Sequence, residues 1–273
     1  MRHEAIPGRG LALGTTLTLL TLVVLVPLAA VVATLQGLTP ERFLAVAGSP
    51  RTLAAYRLTF GAALCGSAID LVAGTFVAWV LVRYRFPGRN VLDAVVDVPF
   101  ALPTAVTGIA LATLYGAHGW AGEALAQFGW KVAYTQLGVG LALTFVGFPF
   151  VVRTVQPVIA SLPIEYAEAA ASLGAGKGEA FRRVTLPLIF PAMLTGFALA
   201  LARGLGEYGS VIFISGNMPG RTEIAPLLIV SHLESFDYQG AAAIATVLLL
   251  SSFLLLLAIN ALQRRIAVVR APQ

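Results

Sequence analysis

The feature that most constrains the fold is a series of six apolar segments, each long enough to cross a lipid bilayer. A membrane-spanning helix needs about 20 mainly apolar residues. Only 11% of the 273 residues are charged and the mean hydropathy is +0.85, whereas about 25% of residues are charged in a soluble domain. The sequence predicts an all-α integral membrane protein with one transmembrane domain over 1–273. The approximate spans are 11–35, 58–82, 91–115, 137–160, 189–214 and 241–262.

Basic residues indicate how the chain is oriented. The net charge is +5, but Lys and Arg are scattered between apolar segments, which favours a membrane protein over a nucleic-acid-binding one. Placing the N-terminus inside puts most of the 18 Lys and Arg in the cytoplasm, as the positive-inside rule requires. This group includes Arg2, Arg153 and Arg270. We expect both termini and the loop 163–187 to be cytoplasmic.

The loop 163–187 is the longest polar insert, and it is built like a docking surface. Glu165 and Glu168 lie where carboxylates complement the positive end of a helix dipole. Tyr166 and Leu173 share one helical face with two alanines, and Gly174 is placed to end the helix. A second short helix is predicted over 179–184, before Pro187 opens the next apolar segment.

Seven residues of this loop follow a fixed spacing. They are Glu168, Ala169, Ala170, Gly174, Val184, Leu186 and Pro187. Apart from Val at 184, where Ile is usual, their order and spacing resemble the EAA loop of ABC importer permeases. The resemblance implies the type I ABC importer permease fold with six transmembrane helices. It also implies that these residues, together with Phe181, couple the permease to an ATPase subunit.

Further stretches narrow the resemblance. Residues 81–89 and 98–103 resemble sulfate/thiosulfate and molybdate importer permeases, and 206–219, 222–227 and 236–238 resemble the T-type sulfate/thiosulfate subunit. The likeness implies a complex in the bacterial inner membrane. Its other members would be two copies of an ABC ATPase that binds ATP and Mg²⁺, a homologous W-type permease, and a periplasmic sulfate/thiosulfate-binding protein. No cofactor is expected in this chain.

Asp70, Arg203 and Glu207 are charged residues that fall well inside predicted spans. Charges at membrane depth are costly and usually face the bundle interior or an aqueous path. Arg203 and Glu207 are four residues apart, so they either pair and stabilise the bundle or contact substrate. For Asp70 we expect a hydrogen-bonded interior role, because a carboxylate repels an anionic substrate.

The third span contains Pro99 and Pro103, which should bend it and release backbone carbonyls. Thr104 and Thr107 follow within one turn of each other. Their hydroxyls could line a translocation path, or they could bond back to the carbonyls of their own helix. The sequence leaves both interpretations open.

The outer loops carry helix-start signals. Thr39 and Ser49 each precede a proline, as a capping residue before the first helical position does. The first should begin a short interfacial helix, and the second should lead directly into the second span.

Several functional classes find no support in the sequence. It lacks a GxxxxGK[ST] phosphate loop and a GxSxG nucleophile motif. His3, His118 and His232 look isolated in loops, so no metal site is predicted. We therefore expect a permease without its own ATPase site. A molybdate or tungstate ABC permease and an ion-coupled secondary transporter remain as alternatives.

Overall fold

The chain is described from a computed structural model covering residues 9–163 and 165–269. Arg2, His3 and Arg270, which the sequence analysis used, lie outside these ranges. Every regular element within them is helical. The α-helices are α1 Arg9–Leu20, α2 Val26–Ala33, α3 Pro40–Ala47, α4 Pro50–Arg83, α5 Arg89–Val96, α6 Val98–Ala101, α7 Thr104–Tyr115, α8 Trp120–Ala126, α9 Gln136–Ser161, α10 Glu165–Ser172, α11 Lys177–Ala180, α12 Leu186–Leu205, α13 Val211–Ile214, α14 Ala225–Glu234 and α15 Tyr238–Val269; two π-helical turns are π1 Thr21–Leu25 and π2 Phe181–Thr185.

The membrane core consists of α4, α9 and α12. In the half nearer residue 50 they bury Ala63, Leu143 and Leu201 together. In the half nearer the loop 163–187, the apolar cluster includes Val151 and Ile189. Since lipid is as apolar as these side chains, close van der Waals packing rather than hydrophobic burial drives helices together in a membrane.

Glycines allow this close packing. A Cβ at Gly196 of α12 would lie 2.9 Å from Val151 Cα of α9, and a Cβ at Gly74 of α4 would lie 3.0 Å from Val151 Cβ. Backbones can approach this closely only where a side chain is absent. Gly74 of α4 and Gly196 of α12 therefore let both helices pack closely against α9 at Val151.

The first span is separate from this core. The helix Gly10–Ala33 is long and apolar enough to cross a membrane, but none of its most apolar stretch is buried within the described chain. The second half of this helix, α2, contacts α15. The helix lies where the span 11–35 was predicted, and most of its surface is exposed in the described chain.

The predicted third span, 91–115, is interrupted rather than a single bent helix. Residues 89–115 form α5, α6 and α7, which are separated at Asp97 and at Leu102–Pro103. Leu102 is extended because the ring of Pro103 disfavours helical geometry in the residue before it. Five described helices, rather than six, are therefore long and apolar enough to span a membrane.

The predicted fifth span differs at both ends. Lys177 to Leu205 form one helical rod of 29 residues, so the expected second coupling helix has no break before the span. The rod ends at Leu205, and a short non-helical segment from Gly206 precedes α13. Glu207 consequently lies just beyond the helix end rather than inside it.

Each π-helical turn ends two residues before a proline. Val26 N donates to Thr21 O before Pro27, and Leu186 N donates to Phe181 O before Pro187. A proline ring clashes with the carbonyl four residues earlier in a regular α-helix. Widening the preceding turn keeps the neighbouring N–H bonded and lets the helix continue, which membrane depth requires.

The helix caps predicted at Thr39 and Ser49 are both present. Thr39 Oγ1 accepts a hydrogen bond from Arg42 N at 3.3 Å, and Ser49 Oγ accepts one from Thr52 N at 3.2 Å. Ser49 begins α4, which runs without interruption into the core. The helix at the position of the predicted sixth span begins earlier than residue 241, at Tyr238.

The glycine packing predicts the effect of a single methyl group. We expect Gly196→Ala to destabilise the protein by about 1–3 kcal/mol, because the new Cβ would press on the α9 backbone. Gly140→Ala in α9 is the matched control, since a Cβ there meets no atom within 4 Å. The thermal unfolding midpoint of the detergent-solubilised protein should fall only for Gly196→Ala. Equal midpoints would show that the helices have room to separate.

Candidate functional site

The predicted coupling segment, residues 163–187, is called the coupling segment below and comprises α10, a turn and the start of the α12 rod. Helix α10 carries Glu165 and Glu168 in its first turn, as predicted. The turn ends at α11, and π2 joins α11 to α12. The segment is thus attached rigidly to the core on its C-terminal side.

The end of α10 has the geometry that the sequence predicted. Gly174 has φ +85°, which only glycine adopts without cost. Gly174 N donates to Ala171 O at 2.9 Å, and Ala175 N donates to Ala170 O at 3.0 Å. This pair of bonds is a Schellman motif, which satisfies the last carbonyls of the helix and reverses the chain. No side chain fills the space beside Gly174, so its role is conformational.

Two large apolar side chains face outward, one in α10 and one on the residue that follows it. Leu173 is 89% exposed and Tyr166 is half exposed, while Ala170 is buried. Glu168 and Ala169 are also exposed. An exposed apolar pair on a capped, charged helix is typical of a protein interface. Of the predicted helix face, only Ala170 packs within the described chain.

The remaining motif residues connect this helix to the core. The Phe181 ring contacts Trp79 of α4 edge to face, with 5.1 Å between ring centroids. Both rings line a cavity of about 700 Å³ that also touches Met193 of α12. Val184, Leu186 and Pro187 are half-buried at the entry to α12 and belong to the rod. Phe181 is therefore a contact between the coupling segment and α4.

The ion pair between Arg203 and Glu207 is present at the other end of α12. Arg203 Nη1 lies 2.5 Å from Glu207 Oε2, and the Glu207 side chain is almost fully buried. Ser210 N and Oγ donate to Glu207 Oε1 at 2.9 and 2.8 Å. Glu207 thus has partners on both oxygens, and it links the end of α12 to the start of α13. About a third of the Arg203 side chain remains exposed.

Asp70 is buried, but the predicted hydrogen bonds are absent. Its side chain is fully enclosed in the core, and neither carboxylate oxygen has a hydrogen-bond partner in the described chain. It packs against Gly147 of α9, beside Ala200 of α12. These neighbours offer no side-chain donor. The sequence placed Asp70 at the right depth, but it could not show that glycine and alanine would surround it.

Thr104 and Thr107 lie in the first turns of α7. Thr107 is buried and Thr104 is half-buried against Gly209. In the residues that the structure covers, neither hydroxyl makes a hydrogen bond, whereas Thr113 Oγ1 donates to Ile109 O at 2.9 Å. The bond back to their own helix is therefore not formed, and a role in the path remains a prediction.

One ion cluster, an arginine bound to two aspartates, was not predicted from the sequence. Arg153 of α9 donates to Asp97 Oδ1 and Oδ2 at 2.8 and 2.7 Å, and to Asp93 Oδ1 at 2.7 Å. Its Nη2 also donates to Asp93 O. The signal in the sequence was two carboxylates four residues apart within the predicted third span. The cluster holds the broken third segment against α9.

Two arginines on the side of the bundle away from the loop 163–187 also pair with carboxylates. Arg51 makes a bidentate ion pair with Glu223, with both N–O distances 2.7 Å. Arg42 lies 3.5 Å from Asp237, which is also 2.9 Å from His232 Nδ1. His232 is therefore neither isolated nor in a loop, because it belongs to α14.

The pKa of Asp237 lies below its ordinary value. Burial raises it, and the hydrogen bond from Gly240 N together with His232 and Arg42 lowers it by more.

Within the described ranges, no group of three or more His, Cys, Asp or Glu side chains could hold a metal ion. His118 has no polar partner in those ranges.

Comparison with known proteins gives the family. Residues 70–268 match the family described as "Binding-protein-dependent transport system inner membrane component". The chain is 49% identical to the sulfate transport system permease protein CysT of Salmonella typhimurium, over 96% of this chain and 95% of that protein. The corresponding protein of Escherichia coli K12 is 48% identical over the same shares. That of Synechococcus elongatus is 48% identical over 89% and 88%.

Solved structures agree on the fold. A chain of a bacterial alginate ABC transporter, in complex with an alginate pentasaccharide-bound periplasmic protein, superposes with a TM-score of 0.77 and 16% identity, over 93% of both chains. A chain of an amino acid ABC transporter with histidines gives a TM-score of 0.55 and 19% identity, over 81% of this chain and 96% of that one. At such identities the likeness concerns the fold alone.

The pairing of Arg203 with Glu207 predicts a rescue. Arg203→Met leaves a buried carboxylate without its cation, and Glu207→Gln leaves the cation without its carboxylate, so each should lower the amount of folded protein in the membrane. The double variant removes both charges, and we expect it to recover, with a coupling of about 1–3 kcal/mol. Membrane abundance and thermal unfolding of the singles and the double measure this. Strictly additive losses would contradict the pairing.

Proposed function

Because this chain belongs to the family of binding-protein-dependent transport system inner membrane components, we propose that it is a permease subunit of an ATP-driven importer of sulfate and thiosulfate. The observation that carries this proposal is the similarity to sulfate permeases along 96% of the chain. A likeness of that extent includes the outer segments and the coupling segment as well as the apolar core. The substrate is a dianion, and the chain forms half of its path.

In this proposal the coupling segment binds an ATPase subunit and moves when that subunit changes conformation. Exposed Tyr166, Leu173 and Glu168 offer an apolar and acidic face to a cleft of that subunit. ATP and Mg²⁺ belong to the partner ATPase, of which two copies serve the complex. The translocase reaction is a property of the assembly, and this chain supplies the moving membrane part.

The helical rod from Lys177 to Leu205 would transmit a displacement of the coupling segment across the membrane. It is helical over 29 residues, and Phe181 couples its first turns to Trp79 of α4. At its far end, Glu207 links α12 to α13. A displacement of the coupling segment would thus reach the outer half of the bundle through packed and bonded elements, which is how small shifts become transitions between two states.

The orientation and the assembly follow from the same proposal. The coupling segment faces the cytoplasm with both termini, in a bacterial inner membrane. A homologous W-type permease completes the path, and a periplasmic binding protein delivers the anion to the opposite face. The exposed first span, Gly10–Ala33, offers surface for such a partner.

The function is tested by uptake into proteoliposomes. Purified complex with its binding protein should accumulate radiolabelled sulfate only when ATP is supplied to the coupling-segment side. A protonophore should not abolish uptake, which separates this mechanism from ion-coupled transport. Molybdate should compete poorly. Uptake of molybdate but not sulfate would assign the chain to the alternative anion, and uptake without ATP would refute the proposal.

The cap of α10 predicts a coupling defect. Gly174→Leu must place a branched side chain at φ +85°, which costs about 1–2 kcal/mol, so the reversal after α10 should loosen. We expect lower ATP-dependent sulfate uptake and weaker co-purification of the ATPase, with normal membrane insertion. Gly178→Ala is the control, because Gly178 is helical and has open space. Normal uptake by Gly174→Leu would separate the segment from force transmission.

A further inference from the structure

A cavity of about 790 Å³ opens between α4 and α9 on the side opposite the coupling segment. It follows α4 from Ala54 to Ile69, a length of about 22 Å at the rise of an α-helix. The residues along it are mainly small and apolar. Its inner end therefore lies near the middle of the membrane-spanning part of α4.

Two arginines line the outer part of this cavity. Arg57 projects from α4, and Arg221 comes from the segment between α13 and α14. Both are exposed, and within the described chain neither side chain has an ion pair or a hydrogen bond. The only other polar side chains that line the cavity and could bond an anion there are uncharged, and no carboxylate of the described chain lines it.

The neighbouring arginines behave differently. Arg42 and Arg51 lie on the same side of the membrane, and each is paired with a carboxylate. These two arginines outside the cavity are each neutralised by a carboxylate, whereas the two arginines that line it have no ion pair within the described chain. An unpaired guanidinium on a mainly apolar wall carries a strong preference for an anion, because it donates several hydrogen bonds in a plane that matches an oxyanion.

We infer that Arg57 and Arg221 form an entry site for a small tetrahedral oxyanion on the outer half of the path. The site attracts the dianion as it leaves the binding protein and releases it toward the uncharged inner end of the cavity. Arg57 and Arg221 bind substrate, whereas Arg203, which is already bonded to Glu207, does not. The inference rests on the proposed function for the identity of the anion, but the presence of an anion site does not depend on it.

Cys65 provides a reporter for this site. It is exposed and lines the same cavity, and the chain has no other cysteine. The rate at which a charged reagent reaches its thiol depends on the local potential. The ratio of modification rates by the anionic sulfonatoethyl and the cationic trimethylammonioethyl methanethiosulfonates therefore measures whether the cavity attracts anions.

The experiment uses the assembled complex in spheroplasts, with the reagents outside and modification read by mass on this chain. We expect Arg57→Gln and Arg221→Gln each to lower the anionic-to-cationic rate ratio about three- to tenfold, and sulfate to slow modification of the wild-type protein. Lys131→Gln is the matched control, since Lys131 is exposed on the same side but does not line the cavity. Arg57→Lys should retain most of the ratio.

Uptake gives a second readout. The double variant Arg57→Gln/Arg221→Gln should take up sulfate about tenfold more slowly while ATP hydrolysis persists. An unchanged rate ratio, an equal change with Lys131→Gln, or a Cys65 that no external reagent reaches would overturn the inference. Failure of the wild-type complex to transport sulfate would instead refute the proposed function, because the Cys65 ratio does not depend on transport.

Discussion

The need to bond every backbone polar group at membrane depth governs this structure, and the prolines are where that need is hardest to meet. At Pro27 and Pro187 the chain widens a turn and continues as a helix. At Pro103 it breaks, and α7 begins afresh. In α9 the helix runs through Pro149 without interruption. The lengths of the spans and the break in the third segment follow from these local solutions.

Charge is arranged by the same rule, since an unpaired ion at low dielectric is costly. Arg153 joins α9 to the broken third segment through Asp93 and Asp97. Glu207 satisfies Arg203 and the start of α13 together. Asp70 is the exception, a buried carboxylate without a bonding partner in the described residues. Pairing thus fixes most interior charges to structural roles and leaves the cavity between α4 and α9 lined by two arginines and no carboxylate of the described chain.

The sequence predicted features that depend on local spacing. The Gly174 cap and the Arg203–Glu207 pair each arise from residues close in the chain, so periodicity and propensity were sufficient. It missed contacts between distant segments. Arg153 meets Asp97 across 56 positions, and Asp70 lies against Gly147, where nothing local indicates a missing donor. The broken third span combined both problems, because hydropathy measures composition and not continuity.

The turn π2 also has a rotational consequence. A π turn holds one residue more than an α turn, and each residue of an α-helix advances the facing direction by about 100°. Side chains of α11 therefore point about 100° away from where an uninterrupted helix would aim them relative to the membrane faces of α12. The proline at 187 thus determines the direction in which the α11 side chains point around the helix axis. The chain specifies the direction from which the coupling segment is approached as well as the residues that it presents.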